Sequence, residues 1–177
     1  MTKPTPTILY SLTVTSPWGP LFLAGTERGI CYCQFIGGND SADLIARLEK
    51  REKSAVHVQE NNRVLVEARR ALERYFSAEP QQPRHRLHVQ GSSFQRQVWR
   101  TIQQIPPGRV TTYREIAARV GSPRAFRAVG QACRSNPVVL FIPCHRVVAA
   151  SGKLGGFSGG LSQKAALLRH EGRRFIP

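Results

Sequence analysis

The chain has 177 residues, 41% of them apolar and 21% charged, with 15 Gly and 12 Pro, which allows a buried core and excludes a fibrous or fully disordered protein. No run of eighteen apolar residues occurs, and Met1 to Tyr10 holds no apolar stretch of signal-peptide length, so a soluble, cytoplasmic protein is expected. The net charge of +15 is uneven: residues 1–90 carry 12 basic and 9 acidic side chains, whereas residues 91–177 carry 14 basic and 2 acidic ones, Glu115 and Glu171. Such a one-sided field fits a polyanion binder. Nucleic acid is favoured over membrane, since no long basic amphipathic helix with an aromatic face is present.

Residues 8–14 and 20–24 flank a Ser-Pro-Trp-Gly turn, and a third apolar run covers Ile30 to Ile36, which predicts a three-stranded antiparallel meander. Asn39 and Asp40 are candidate caps for a helix reaching Glu52. Val64, Leu65, Ala68, Ala71, Leu72, Tyr75 and Phe76 recur at helical spacing in a second helix that ends near Ala78. The breaker-rich stretch Glu79-Pro80-Gln81-Gln82-Pro83 then reads as a linker, closing an α+β domain over 1–90.

Residues 91–177 read as a mostly helical second domain. Ser92 and Gln95 stand at capping-box spacing before Phe94, Val98, Ile102 and Ile105, and Pro106-Pro107-Gly108 ends that helix. A short helix over Thr112–Val120, then Gly121, then a helix from Pro123 to about Ser135 has the grammar of a helix-turn-helix. The second of these helices carries Arg124, Arg127 and Arg134 and no acid.

Asn136-Pro137 breaks that helix, and Val138 to Ile142 reads as a buried strand delivering Pro143-Cys144-His145-Arg146-Val147. Positive charge from His145 and Arg146 is expected to lower the Cys144 pKa and favour the nucleophilic thiolate. Because adjacent side chains point apart, Cys144 and His145 are expected to act through a bridging water. A glycine-rich loop, Gly152 to Gly160 around Phe157 and Ser158, offers close backbone approach to a flat ligand. A last helix, Leu161 to Glu171, places one of the two acids of this half where it can orient His145.

The motifs Arg127-Ala128-Val129-Gly130, Ser135-Asn136-Pro137, Ile142-Pro143-Cys144-His145-Arg146-Val147, Ser158-Gly159-Gly160 and His170-Glu171-Gly172 occur in order at compatible spacing. From about Ser93 to Gly172 the chain closely resembles the O6-alkylguanine-DNA alkyltransferase family. Residues 1–90 match only in layout, resembling the family's ribonuclease-H-like α/β domain. The resemblance implies DNA repair by direct damage reversal, in which the alkyl group of O6-alkylguanine passes irreversibly to Cys144. O4-alkylthymine is a further candidate substrate.

By the same resemblance His145 is the general base through a water, Glu171 orients it, and Asn136 holds the turn before the active-site segment. Tyr113 would hydrogen-bond the guanine and help it leave neutral. Arg127 would fill the gap left by a flipped nucleotide, and Arg124, Ala125, Gly130 and Arg134 would share the DNA-facing helix. Phe126 stands where the family has a small residue, and it is expected to alter groove fit or insert as an apolar wedge. Phe157, where the family usually has tyrosine, Ser158 through its amide, Gly159, and the carbonyls of Cys144 and Val147 would contact the guanine. Implied too are a monomer on the minor groove of double-stranded DNA with little sequence specificity, no cofactor and no metal. Cooperative binding along DNA is left open.

Two rivals stand beside this reading: a helix-turn-helix regulator without catalysis, and a cysteine hydrolase. The first leaves Cys144, His145 and Glu171 idle. The second gives no role to the excess of positive charge. Cys31 and Cys33 are expected on one strand face, where His85 or His88 could join them around a metal, but buried core thiols are the default reading, and Cys133 is expected to pack. No disulfide framework is expected.

Overall fold

The computed structural model describes residues 9–36, 41–52, 56–58 and 62–173. Strands β1 (Leu9–Val14), β2 (Leu21–Thr26) and β3 (Gly29–Phe35) form the meander, with Gly19 and Ser16 closing the first turn by a 3.2 Å backbone bond. Helix α1 (Ser41–Glu52) follows, and the capping roles expected of Asn39 and Asp40 fall outside the described residues. A short strand, β4 (Val56–Val58), then pairs parallel to β1, so the sheet is four-stranded in the order β3-β2-β1-β4 rather than a bare meander. Three residues give too short a run for alternation to be read from sequence.

Helix α2 (Arg63–Phe76) begins at Asn62, whose side chain accepts from the amides of Val64 and Leu65, and it buries Leu65, Ala68, Ala71, Leu72 and Tyr75 on one stripe. That stripe faces the same side of the sheet as Leu12, Leu21, Leu23, Ile30 and Cys33. Cys31 lies on the other side with Leu9, Phe22, Leu44 and Leu48, so the two thiols do not share a face. The cause is a bulge: Gly25 pairs with Ile30 and Ala24 with Tyr32, leaving Cys31 as the extra residue that reverses the alternation. Among the described residues no group of His, Cys, Asp and Glu has the makings of a metal site.

After α2 and the breaker-rich linker, residues 86–88 lie along the open edge of β3, where Ile30 donates to Arg86 at 2.9 Å and His88 donates to Ile30 at 2.8 Å. Helix α3 (Ser93–Gln103) carries both arms of the expected capping box between Ser92 and Gln95. Strand β5 (Thr111–Thr112) leads into α4 (Tyr113–Arg119), and α5 (Phe126–Arg134) completes the helix-turn-helix. Gly121 makes the turn at φ 71°, a conformation that costs other residues about 1–2 kcal/mol. Helix α5 starts three residues later than Pro123, because the Ala125 amide bonds back to Ser122 and tightens 122–125 into a turn.

The run Val138–Ile142 is buried as expected but is not a strand. It forms a tight turn in which Ile142 donates to Val138 at 3.0 Å and Leu140 takes φ 71°. A leucine in that region is strained and is held by its surroundings: Cys33 donates to the Pro137 carbonyl and accepts from the Val139 amide, and Gln82 donates to the Leu140 carbonyl at 3.0 Å. A 3₁₀ turn (Cys144–Arg146), strand β6 (Val147–Val148) parallel to β5, and α6 (Leu161–His170) end the described chain. One continuous apolar cluster runs from β1 through α2 and α3 to the Val138–Ile142 turn, so both halves share a core. No helix among the described residues is long and apolar enough to cross a membrane.

Candidate active site

A pocket of about 730 Å³ opens between α4, α5, the 3₁₀ turn and the glycine-rich loop, within the size range of small-molecule sites. Tyr113, Arg127, Gly130, Arg134, Cys144, Phe157 and Ser158 line it, together with Gln131, Gly156 and Cys133. Val147 and Gly159 do not line it: Val147 is fully buried with its carbonyl taken by Lys164 Nζ at 2.6 Å, and Gly159 is pressed between Phe157 and Gln163. Cys133, expected only to pack, turns its small exposed fraction into this pocket. Gly155, at φ 68°, admits the Tyr113 ring where an added Cβ would stand 3.0 Å from it.

Asn136 fixes Cys144. Its Oδ1 accepts from the Val138 amide at 3.0 Å, and its Nδ2 donates to the Ile142 carbonyl at 2.8 Å and to Cys144 Sγ at 3.1 Å. The helix-to-turn junction and the sulfur are therefore held by one side chain. The Cys144 pKa is nonetheless raised rather than lowered, because burial outweighs the Asn136 bond, the Lys164 charge and the nearby amides of Cys144 and His145. The Arg146 guanidinium does not bond the thiol; it is taken up in a buried cluster.

That cluster is built on Glu171, the C-cap residue of α6. Glu171 Oε1 accepts from His145 Nε2 at 2.9 Å, from Arg146 Nη2 at 2.7 Å and from Tyr75 Oη at 2.7 Å, while Oε2 accepts from Arg146 Nε at 3.0 Å and from the Gly108 amide at 3.3 Å. Arg146 Nη1 also reaches the Ile105 carbonyl at 2.6 Å and the Gln82 side chain. Burial alone would raise the Glu171 pKa, but its hydrogen bonds to His145 and Arg146 and their charges hold it far below the ordinary range. His145 moves the other way from its partner's pull: burial lowers its pKa below 6.5 despite Glu171, helped by the charges of Arg146 and Lys164. With Nε2–H engaged by a carboxylate, the imidazole keeps Nδ1 as its lone pair. Nδ1 is buried and has no hydrogen-bond partner among the described residues.

Arg127 and Arg134 are exposed along α5, Arg124 is exposed in the turn before it rather than on the helix as expected, and Ala125 is the N-cap residue. Phe126 does not project as a wedge: it is half-buried against the core, with the Arg114 and Arg127 guanidinium carbons 5.3 and 6.0 Å from its ring centroid. Sequence reasoning passed over Lys164, Tyr75 and Gln82. Lys164 is fully buried, its pKa brought down to about 8 by burial. A charged residue on the apolar stripe with Leu167 and Leu168 was the available signal.

Residues 8–87 match the family described as "6-O-methylguanine DNA methyltransferase, ribonuclease-like domain", and residues 93–173 match its "DNA binding domain". The chain belongs to the 6-O-methylguanine DNA methyltransferase family. A methylated-DNA–protein-cysteine methyltransferase of Methanosarcina barkeri is 40% identical over 92% of this chain and 97% of its own length. The crystal structure of the Mycobacterium tuberculosis O6-methylguanine methyltransferase covers 96% of both chains at a TM-score of 0.77 and 34% identity. A second structure of the M. tuberculosis protein, in complex with DNA, aligns at a TM-score of 0.76 and 34% identity over 93% of this chain and 92% of that one. As in other members of this methyltransferase family, a ribonuclease-like part precedes a DNA-binding part, and the fold is mixed α/β with the helices concentrated in the second.

Proposed function

We propose that this protein repairs DNA by direct reversal, with Cys144 as the acceptor of the alkyl group of O6-alkylguanine. The observation that carries it is a thiol held by Asn136 in the lining of a pocket with ample room for a purine base, beside a His145–Glu171 pair whose side chains are fully buried. The O6 of a stacked guanine is out of reach of that thiol, so the nucleotide must rotate out of the duplex. The Cys144 proton passes through a water to His145 Nδ1. The Sγ–carbon bond forms as the carbon–O6 bond breaks, and the electron pair leaves on the purine.

Tyr113 stays protonated, its pKa pushed up to about 12 mainly by burial, and donates its hydroxyl proton so that the purine departs neutral. A raised thiol pKa beside a neutral imidazole makes proton removal part of the reaction, rather than a standing thiolate. The product is a thioether, and no residue of the pocket offers chemistry to remove it, so each molecule acts once.

Arg127, exposed at the pocket rim, fills the space of the rotated nucleotide. Arg124, Ala125, Gly130 and Arg134 face the duplex, while Phe157 and Ser158 pack on the base. The helix pair enters the minor groove, whose degenerate donor and acceptor pattern suits repair in any sequence. The protein works as a cytoplasmic monomer divided functionally at residues 90/91, the first part supporting the second. Incubation with duplex carrying O6-methylguanine, followed by intact mass, tests the reading. A covalent gain of one methyl group per chain is expected; tight binding with unchanged mass means a regulator instead.

A further inference from the structure

Among the described residues, Tyr75 is the one residue of the ribonuclease-like part whose side chain bonds into the Glu171–His145 pair. Its hydroxyl is not needed for packing. The ring lies among Trp18, Phe76 and His170, with centroids 6.3, 6.0 and 5.4 Å away, and phenylalanine would fill that space. A buried hydroxyl is costly unless it is bonded, and this one donates to Glu171 Oε1 at 2.7 Å while its oxygen stands 3.5 Å from His145 Nε2. The helix is fixed at the same point from the other side, because His170 Nε2 bonds the Tyr75 carbonyl at 2.6 Å. The His145 N–H therefore faces two oxygens, one from α6 and one from α2. A ring turned over would offer both a C–H.

We propose that Tyr75 is a positioning residue for the alkyl transfer: by sharing Glu171 Oε1 it keeps His145 neutral, with its proton on Nε2 and its Nδ1 lone pair free. This rests on His145 acting as the base in the reading above. The titratable and charged groups facing the imidazole are Glu171 and Lys164 from α6, Arg146 from the 3₁₀ turn, and Tyr75 from α2; His170 faces Tyr75. Of these, Tyr75 and Arg146 are the side chains that draw on the same carboxylate as His145. Without the phenol, more of the carboxylate charge falls on the imidazole and favours its protonated form. Through that contact the first half of the chain sets the pH range in which the second half works.

The test compares the full-length chain with Tyr75→Phe and with 3-fluorotyrosine placed at position 75, a stronger donor on the same ring. Two quantities are read: the ¹⁵N NMR titration of the His145 imidazole, and the acid limb of methyl transfer to Cys144 from O6-methylguanine duplex. Tyr75→Phe should move both upward by about one pH unit, giving about tenfold slower transfer below the limb and recovery at higher pH, and 3-fluorotyrosine should move both down. A lower melting temperature with both quantities unmoved would make Tyr75 a packing residue and overturn the proposal. A shifted titration with an unshifted limb also overturns it, since the tuned imidazole is then not the base. If the unaltered chain puts no methyl on Cys144, the proposed function fails, while the titration still decides whether Tyr75 sets the state of His145.

Discussion

The front and the back of Cys144 are built on opposite principles. In front, the pocket and α5 present exposed arginines and an open glycine-rich wall, groups that act singly and are solvated until DNA arrives. Behind, His145, Arg146, Glu171 and Tyr75 are all buried, and nearly every polar atom is paired; the exception is His145 Nδ1. Exposed charges tune affinity by small steps, whereas a buried, interlocked cluster fails as a unit when one member is removed. In front, substitutions should grade binding; behind, removing a charged member of the cluster should cost both fold and chemistry.

The most severe break is at the junction itself. Cys144→Ser should lose methyl transfer entirely yet keep DNA binding, since the hydroxyl fits the site but is a far weaker nucleophile; mass spectrometry beside a binding titration checks both. Next comes the back wall. Glu171→Gln leaves the fully buried Arg146 without its counter-charge and should cost about 3–5 kcal/mol in urea unfolding, together with a transfer rate lowered about 10²–10⁴-fold through the misdirected His145. A variant of near-native stability would mean that the cluster does not act as a unit.

The same wall predicts a pH dependence. Below 6.5 the unfolded chain takes up a proton at His145 that the folded chain resists, and below 4.5 it does so at Glu171 as well. Both terms have one sign, so stability should fall continuously as the pH is lowered from 7 toward 4, and Glu171→Gln should flatten the lower part of that slope. Smaller effects belong to the front. Arg127→Ala should slow repair of duplex about tenfold or more while leaving reaction with a free O6-alkylguanine base near normal, because only the duplex needs its gap filled. Arg124→Ala should weaken binding alike on all sequences and reduce the salt slope by about 1, read from titrations at several salt concentrations.

Local signals carried much of the layout into the sequence. The Ser92–Gln95 box, Gly121 between two helices, and the strand-turn pattern of 8–36 place most elements within a few residues. Cys144, His145, Glu171 and Asn136 were legible as a set because they lie in short motifs, and the structure joins them as two bonded pairs on neighbouring residues, Asn136 with Cys144 and His145 with Glu171. What stayed hidden depends on long-range partners. Tyr75 reads as one more member of an apolar stripe, since its use is decided by a carboxylate 96 positions away. Lys164 reads as a surface lysine until α6 is seen to bury it against the Val147 carbonyl. The Val138–Ile142 run reads as a strand because hydrophobicity shows burial and does not show the positive φ at Leu140. Likewise the charges beside Cys144 are visible in sequence, but the depth of its burial is not, and burial is why the expected thiolate gave way to a thiol with a raised pKa.

The pocket holds two thiols, Cys144 and Cys133, and the proposed transfer falls on the one that Asn136 holds. Peptide mapping by tandem mass spectrometry after reaction with isotopically labelled O6-methylguanine duplex separates them directly. The label should lie on Cys144 alone, at no more than one methyl per chain. Label on Cys133, or an undiminished yield in Cys144→Ser, would contradict the account.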